Sequence, residues 1–472
     1  MSNNTEKREQ LHVGIVGGGI AGVTAAILLG QSGVKVSLFD KKPGLVYGPP
    51  ICHLHAGGNL YRDISLAQCK ELLRQSIDSV KLYPNTINVR PTIIAVPDSD
   101  QGDPASVISR LKAIQSEYQL LVEQCESNKV LGEPQNYFKL FSREELIELS
   151  LCSQSSGLLT DEDWVIPFAK TVDLDRLKYP VVLVQEYGWS LFRLAATAQL
   201  ELEQQPLCRV HLSSQVNSTK DNGNGWTINY SRDGSDHSEK VDYLINACGF
   251  ETGTLDNWLD MHKSRLVEFK AAYVSRWQSG YKWPEVVFHG KRGTPDGMAQ
   301  LTPYPDDVFQ LHGMTDEITL FKNGLVSSGG GNSQPQLPQE LLNKIKLGWS
   351  DEVKSKRTDA AIRHMSRFIP SFCEAEYGGK PLFGAQQIPG SDASLRASDV
   401  SFYGERYARL EIVKGSSAIE AARKVIKHIQ TTFAIEVNCD GVTPSHGSEQ
   451  VESLACQLAV QRGYPQELAK IY

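Results

Sequence analysis

The segment His12–Lys42, HVGIVGGGIAGVTAAILLGQSGVKVSLFDKK, constrains this chain more than any other. An apolar strand, His12–Val16, runs into Gly17-Gly18-Gly19. A helix rich in Ala and Leu, Ile20–Gln31, follows and is stopped by Gly33. A second apolar strand, Val34–Phe39, ends at Asp40. Gly17-x-Gly19-x-x-Gly22 in this strand–turn–helix–strand setting is the pattern of a dinucleotide site. Gly17 permits the tight turn, Gly19 lets a pyrophosphate approach the backbone, and Gly22 lets helix pack closely on strand. The helix start, with Ile20 and Ala21, offers unpaired N–H groups and a positive dipole end to phosphates. Asp40 is placed to accept from a ribose hydroxyl, with Lys41 beside it.

The rest of the sequence narrows the class. At 472 residues the chain is too long for one simple core. Its net charge of -7 argues against a nucleic-acid partner and against anionic membrane surfaces. The nine cysteines are scattered singly with no CxxC pair, which argues against a zinc site, a disulfide framework and a redox-active dithiol. They fit reduced thiols in a cytoplasmic protein. The start, Met1–Gln10, is polar and lacks the marks of a signal peptide. The long apolar stretch Val13–Leu29 carries five glycines and reads as a glycine turn, so no integral membrane association is expected.

Further elements follow from periodicity and turn chemistry. Helices are predicted over Ala105–Cys125, Ser142–Leu151 (Ser142 as N-cap, Glu145 three residues on), Trp189–Leu202, Asp351–Phe368 and Ala418–Phe433. Asn222–Gly225 predicts a hairpin leading into the strand Trp226–Tyr230. Strands are also predicted at Leu266–Ser275, Glu285–His289 and Val308–His312, and Ser327–Pro338 reads as a loop. Two later segments favour FAD over NAD. Tyr243–Gly249 is an apolar strand ending in a small-residue turn, and Arg209–Val216 fits a strand that brackets an adenine. Each taken singly reads equally well as an ordinary sheet strand.

On these residues the chain resembles the D-amino-acid-oxidase superfamily of FAD-dependent oxidoreductases. HLHAGGNLYRDIS resembles the family's loop beside the isoalloxazine ring, which places Gly58, Asn59 and Leu60 near the flavin. VDYLINACGFET resembles the third FAD segment, with Ala247 and Gly249 at the cofactor; Val216 joins the set from the preceding strand. Val413–Ala422 stands where the last FAD segment is expected. It lacks that segment's His-Gly and paired-glycine pattern, and Gly415 and Ser416 are the positions carried over. GAQQIPG, Gly384–Gly390, resembles the Pro-Gly segment before it; the Arg usual just upstream is absent, and Lys380 is the nearest basic residue. Malate:quinone oxidoreductases are a weaker resemblance.

The resemblance implies an α/β fold: a Rossmann-like FAD/NAD(P)-binding domain of the glutathione-reductase type with a discontinuous α+β substrate domain. It implies an FAD domain from 1–75, 200–255 and 380–430, a substrate or cap domain from 76–199 and 256–379, and a C-terminal helical appendage over 431–472. The implied activity is oxidation of a small amine, amino acid or 2-hydroxy acid, by hydride transfer to flavin N5, with electrons passed to oxygen or another acceptor. A NAD(P)H-dependent flavin monooxygenase or dehydrogenase would need a second nucleotide site, and no second strand-linked GxGxxG is present. A non-catalytic flavin-binding protein is the third reading.

For the chemistry, His53 and His55 flank the flavin-side loop. Either can contact the ring, act as base or anchor the flavin; a loop histidine bonded to backbone is the rival. His312 ends a strand before Gly313, where this fold places residues over the flavin, and is a candidate base. Arg62, Arg406 and Arg409 are candidates for a carboxylate clamp, Arg406 foremost because it approaches the last FAD segment. A surface ion pair is the rival for each. Tyr407 can line the same pocket or pack as core.

Overall fold

The computed structural model describes residues 10–48, 53–436 and 445–472. His12–Val16 sits inside a six-stranded sheet ordered Val400–Tyr403, Tyr407–Leu410, Tyr243–Asn246, His12–Val16, Lys35–Phe39, Cys208–His211. Every pairing in it is parallel except the Val400–Tyr403 edge. Val13 and Ile15 face the helices Ile20–Gln31, Leu191–Glu203 and Ala418–Phe433. The other face meets an antiparallel meander, Gln215–Asp221, Trp226–Arg232 and Ser235–Val241, through Val16, Phe39, Ile228 and Val241. Gly14 is needed here, since a Cβ would lie 2.5 Å from Ile228 Cδ1.

The second sheet has nine strands. Along it run Leu325–Ser327, Arg265–Arg276, Val308–Gly313, Ala299–Tyr304, Glu285–Phe288, Thr92–Pro97, Leu177–Val184 and Phe138–Phe141, and Glu376–Pro389 pairs with Arg265–Arg276. One parallel pairing, Glu285–Phe288 with Thr92–Pro97, interrupts an otherwise antiparallel sheet. Its outer face is covered by Asp161–Thr171 and Asp351–Met365, which pack Phe168, Ile362 and Met365 on Tyr273, Phe288 and Leu311. The inner face packs Ile94, Val182, Val184 and Val274 into the core it shares with the first sheet and turns Glu268, Lys270, Gln300, Gln310 and His312 to a large cavity.

The capping box at Ser142 and Glu145 is present, and the 222–225 hairpin closes with Asn222 N–H donating to the Gly225 carbonyl. Glu376–Pro389 crosses the expected boundary at 380 and lies wholly in the second sheet. The C-terminal segment does more than append a helix. Ser448–Gln461 packs on Leu191–Glu203, and Arg462 beyond it donates to the carbonyls of Leu45 and Val46 at 2.9 Å each.

Candidate functional site

A cavity of about 1420 Å³ runs from the Gly17–Gly22 turn to the inner face of the nine-stranded sheet. That is well above the usual small-ligand pocket of about 300–1,000 Å³.

At its nucleotide end the glycines divide by role. Gly17 has φ +109°, and a Cβ there would meet the Ala247 carbonyl oxygen at 2.3 Å. Gly22 would place a Cβ 1.9 Å from the Gly17 oxygen. Gly19 has nothing within 4 Å of its Cβ position, which opens into the cavity. The helix begins there without a side-chain cap or an acidic residue in its first turn, so its N–H groups face the cavity. Asp40 holds the turn, accepting from Gly18 N–H at 2.6 Å and Lys42 N–H at 2.7 Å. Burial pushes its carboxyl up, and those two N–H groups oppose the shift. Lys41 pairs with Glu251. Val216, Ala247, Gly249 and Gly415 line the same space. This open cradle of backbone donors fits the pyrophosphate of FAD.

The 53–61 loop is held by its own network. Asn59 Nδ2 donates to the Ala56 carbonyl and to Tyr137 Oη, whose hydroxyl donates to the same carbonyl. Gly58, at φ +62°, faces Ile64. Gly58 and Asn59 therefore shape the loop, and Leu60, Tyr61, His53 and His55 present themselves to the cavity. Ser416 is buried in the turn before the helix Ala418–Phe433, its carbonyl accepting from Ser79.

Of the histidines, His55 has φ +62°, stacks on Tyr61 and is held well below its ordinary pKa by burial and by neighbouring cations. Its Nδ1 and both nitrogens of His289 are buried without a hydrogen-bond partner. His312 lines the cavity, pairs across the strands with Gln300, and contacts Gln310 at 2.7 Å. His53 has the most defined setting. Its Nδ1 lies 2.9 Å from Glu285 Oε1, Gln300 touches its Nε2, and Arg90 Nη1 meets the other Glu285 oxygen at 2.5 Å. Arg90 and Glu285 have fully buried side chains. Burial alone would raise the Glu285 carboxyl, but His53 and Arg90 bring it down to about 2.

Glu186, also fully buried, is pushed up to about 8 by burial, against the pull of His53 and of the Asn59 amide groups. Its sign is opposite to that of Glu285. Between about 4.5 and 8 the folded protein keeps the Glu186 proton while the unfolded chain has lost it, so this group lowers stability as pH rises. Glu285 instead contributes stability above about 4.5 that is lost as pH falls towards 2. Glu186→Gln is therefore expected to gain on the wild type between pH 5 and 8, by on the order of a few kcal/mol, in urea midpoints followed against pH. A constant difference across that window would refute it.

The arginines fall differently from expectation. Arg62 lines the cavity and pairs with Asp100 at 2.7 Å. Arg406 stands outside it: Nη1 donates to the Asn224 carbonyl at 2.7 Å and the guanidinium lies over Phe433. The 222–225 turn holds it away from any carboxylate clamp. Arg409 and Tyr407 are buried on Asp256, at 2.6 and 2.9 Å. Lys380 lines the cavity, with Nζ on the Arg462 carbonyl.

Sequence reasoning missed Glu268, Lys270, Arg292 and Arg396 on the cavity wall. For the first two a signal exists, because charges two apart in the apolar run LVEFKAAYVS must face the same side. Arg292 and Arg396 lie outside the regular elements and carry no such signal. Among the described residues no cluster suited to a metal is present, and no helix is long and apolar enough to cross a membrane.

A family model described as FAD dependent oxidoreductase (DAO) matches residues 12–382. No curated protein matches the chain by sequence. Among solved structures, glycerol-3-phosphate dehydrogenase from Bacillus halodurans, complexed with FAD, is similar at TM-score 0.58 and 11% identity, over 97% of this chain and 74% of that one. Glycine oxidase from Geobacillus kaustophilus is similar at TM-score 0.55 and 11% identity, over 93% and 100%. NikD, an unusual amino acid oxidase essential for nikkomycin biosynthesis, is similar at TM-score 0.58 and 10% identity, over 94% and 97%. With a family match across most of its length and a glycine cradle that fits a dinucleotide, this chain belongs to the DAO family of FAD-dependent oxidoreductases.

Proposed function

We propose that this flavoenzyme oxidises a small amine, amino acid or 2-hydroxy acid, within a cavity built for an anionic ligand. The observation that carries this is the charge of the wall. Eleven lysines and arginines line the cavity against six carboxylates, in a chain whose net charge is -7. The pyrophosphate accounts for part of that excess, and a carboxylate on the substrate accounts for more. FAD, when bound, supplies at N5 the acceptor for a hydride, with the electrons passing on to oxygen or another acceptor.

The chain's own residues orient the substrate and move its proton. Lys270 and His312 project from neighbouring strands of the sheet face that closes the cavity. Glu285 at 2.9 Å orients the His53 ring through Nδ1, and His53 takes a hydroxyl proton at Nε2 once Gln300 turns away from it. His55, kept neutral by its surroundings, packs beside it at 5.4 Å between ring centroids. A cytoplasmic setting is supported by the described cysteines, all unpaired.

The test is anaerobic mixing of the FAD-loaded protein with panels of amino acids, N-methyl amino acids and 2-hydroxy acids. Bleaching of the flavin bands by members of one class is the expected result. Bleaching by NAD(P)H alone would replace this reading with a pyridine-nucleotide-dependent one.

A further inference from the structure

Away from the Gly17–Gly22 turn, the cavity wall carries a cluster of cations drawn from the sheet and its loops. Glu268 and Lys270 alternate on the strand Arg265–Arg276 and so project to the same side. Lys270 Nζ lies 2.7 Å from one Glu268 oxygen, and Arg292 binds the other. A single, 4% exposed carboxylate thus serves two cations. Arg396 enters the cavity from the loop after Glu376–Pro389. It is only 8% exposed, its guanidinium lies 5.2 Å over the Tyr61 ring, and its Nη1 donates to the carbonyls of Ala393 and Leu395. No carboxylate among the described residues pairs with it within 4 Å. The Lys414 ammonium lies over the same ring at 4.7 Å.

Tyr61 is thereby a platform bearing buried positive charge, next to a second positive locus at Lys270 and Arg292. The two loci feel each other. Burial, together with Arg292 and Arg396, brings Lys270 down to about 8 even though Glu268 favours its charge. Gathering like charges in a buried wall costs folding energy unless an anion joins them. One carboxylate on a substrate would leave a locus unmatched.

Resting on the oxidoreductase reading above, we infer that the substrate is a small molecule with two anionic groups: one engages Arg396 over Tyr61, and the second engages Lys270 and Arg292. The second group is a carboxylate or a phosphate, both of which match a planar guanidinium fork.

The experiment uses the FAD-loaded protein and perturbation of the flavin absorption band, with no turnover required. Acetate, propionate and butyrate are titrated against malonate, succinate, glutarate and 2-phosphoglycolate, with inorganic phosphate alone as a further arm, at constant ionic strength. Compounds with two anionic groups are expected to bind at least tenfold more tightly than monocarboxylates of matched length. Whether the best dicarboxylate or 2-phosphoglycolate binds tighter identifies the second group. Arg396→Gln and Lys270→Met should each reduce the preference to threefold or less with flavin content unchanged. Arg292→Gln, at a 43% exposed side chain, tests the same locus with little risk to folding. Equal affinity for mono- and dicarboxylates, or variants that keep the full preference, would overturn the inference. The oxidoreductase reading fails separately, if the protein retains no FAD or if no compound in the panels bleaches it.

Discussion

Gly19→Val is expected to yield a folded protein that purifies without flavin. The backbone at Gly19 is extended, with φ -73° and ψ -179°, which valine adopts readily. A Cβ there meets nothing within 4 Å, so the fold has room for it. The added methyls instead occupy the space in which the pyrophosphate meets the helix N–H groups. Losing even two such charge-assisted hydrogen bonds costs about 3–6 kcal/mol, or roughly 10²- to 10⁴-fold in affinity. The apoprotein should unfold within about 1 kcal/mol of wild-type apoprotein, the scale of a changed N-cap. Gly22→Val is the contrasting variant. Its Cβ would stand 1.9 Å from the Gly17 carbonyl oxygen, backbone that cannot swing aside, so flavin and fold should be lost together. A yellow, fully occupied Gly19→Val protein would show that the cofactor does not cross this turn.

The second large effect is expected at Asp256, which has no exposed surface. Its carboxylate accepts from Arg265 Nη2 and Arg409 Nε, each at 2.6 Å, and from Tyr407 Oη at 2.9 Å. Arg265 opens a strand of the nine-stranded sheet, and Arg409 lies in the six-stranded sheet, so this one carboxylate ties the two sheets together. Glu411, 3.3 Å from Arg265, is shared with Lys263. Asp256→Ala leaves Arg409 buried without a carboxylate, and removing one partner of a buried pair costs about 3–5 kcal/mol. Denaturant midpoints should fall accordingly in both apo- and holoprotein. Asp256→Asn, which keeps the shape, should recover part of the loss. A midpoint shift below about 1 kcal/mol would mean that solvent reaches the guanidiniums after all.

These two sites differ in how far the sequence foretold them. The division of labour among Gly17, Gly19 and Gly22 was legible because it is local: a turn, a helix start and the next strand lie within thirty residues, and their spacing imposes their geometry. The same holds for the capping box at Ser142 and Glu145 and for the 222–225 hairpin. Arg409 illustrates the opposite case. As a residue type it suits a substrate clamp, and only the fold shows that Asp256, 153 positions away, consumes it. Arg406 is likewise diverted by the Asn224 carbonyl, 182 positions away.

What the sequence by itself determined, then, is the class of fold and the glycine turn at one end of the cavity, because both rest on short-range periodicity and on backbone freedom that only glycine supplies. The tertiary structure decided the other end. Glu285 is brought to His53 by a strand more than two hundred residues later, Arg396 to Tyr61 by a loop more than three hundred later, and Arg462 to the Leu45–Val46 turn from near the C-terminus. Such pairings follow from sheet order and strand register, which depend on how whole faces bury against one another. No local pattern encodes them, and they set which charges stay buried and paired and which remain turned towards the ligand.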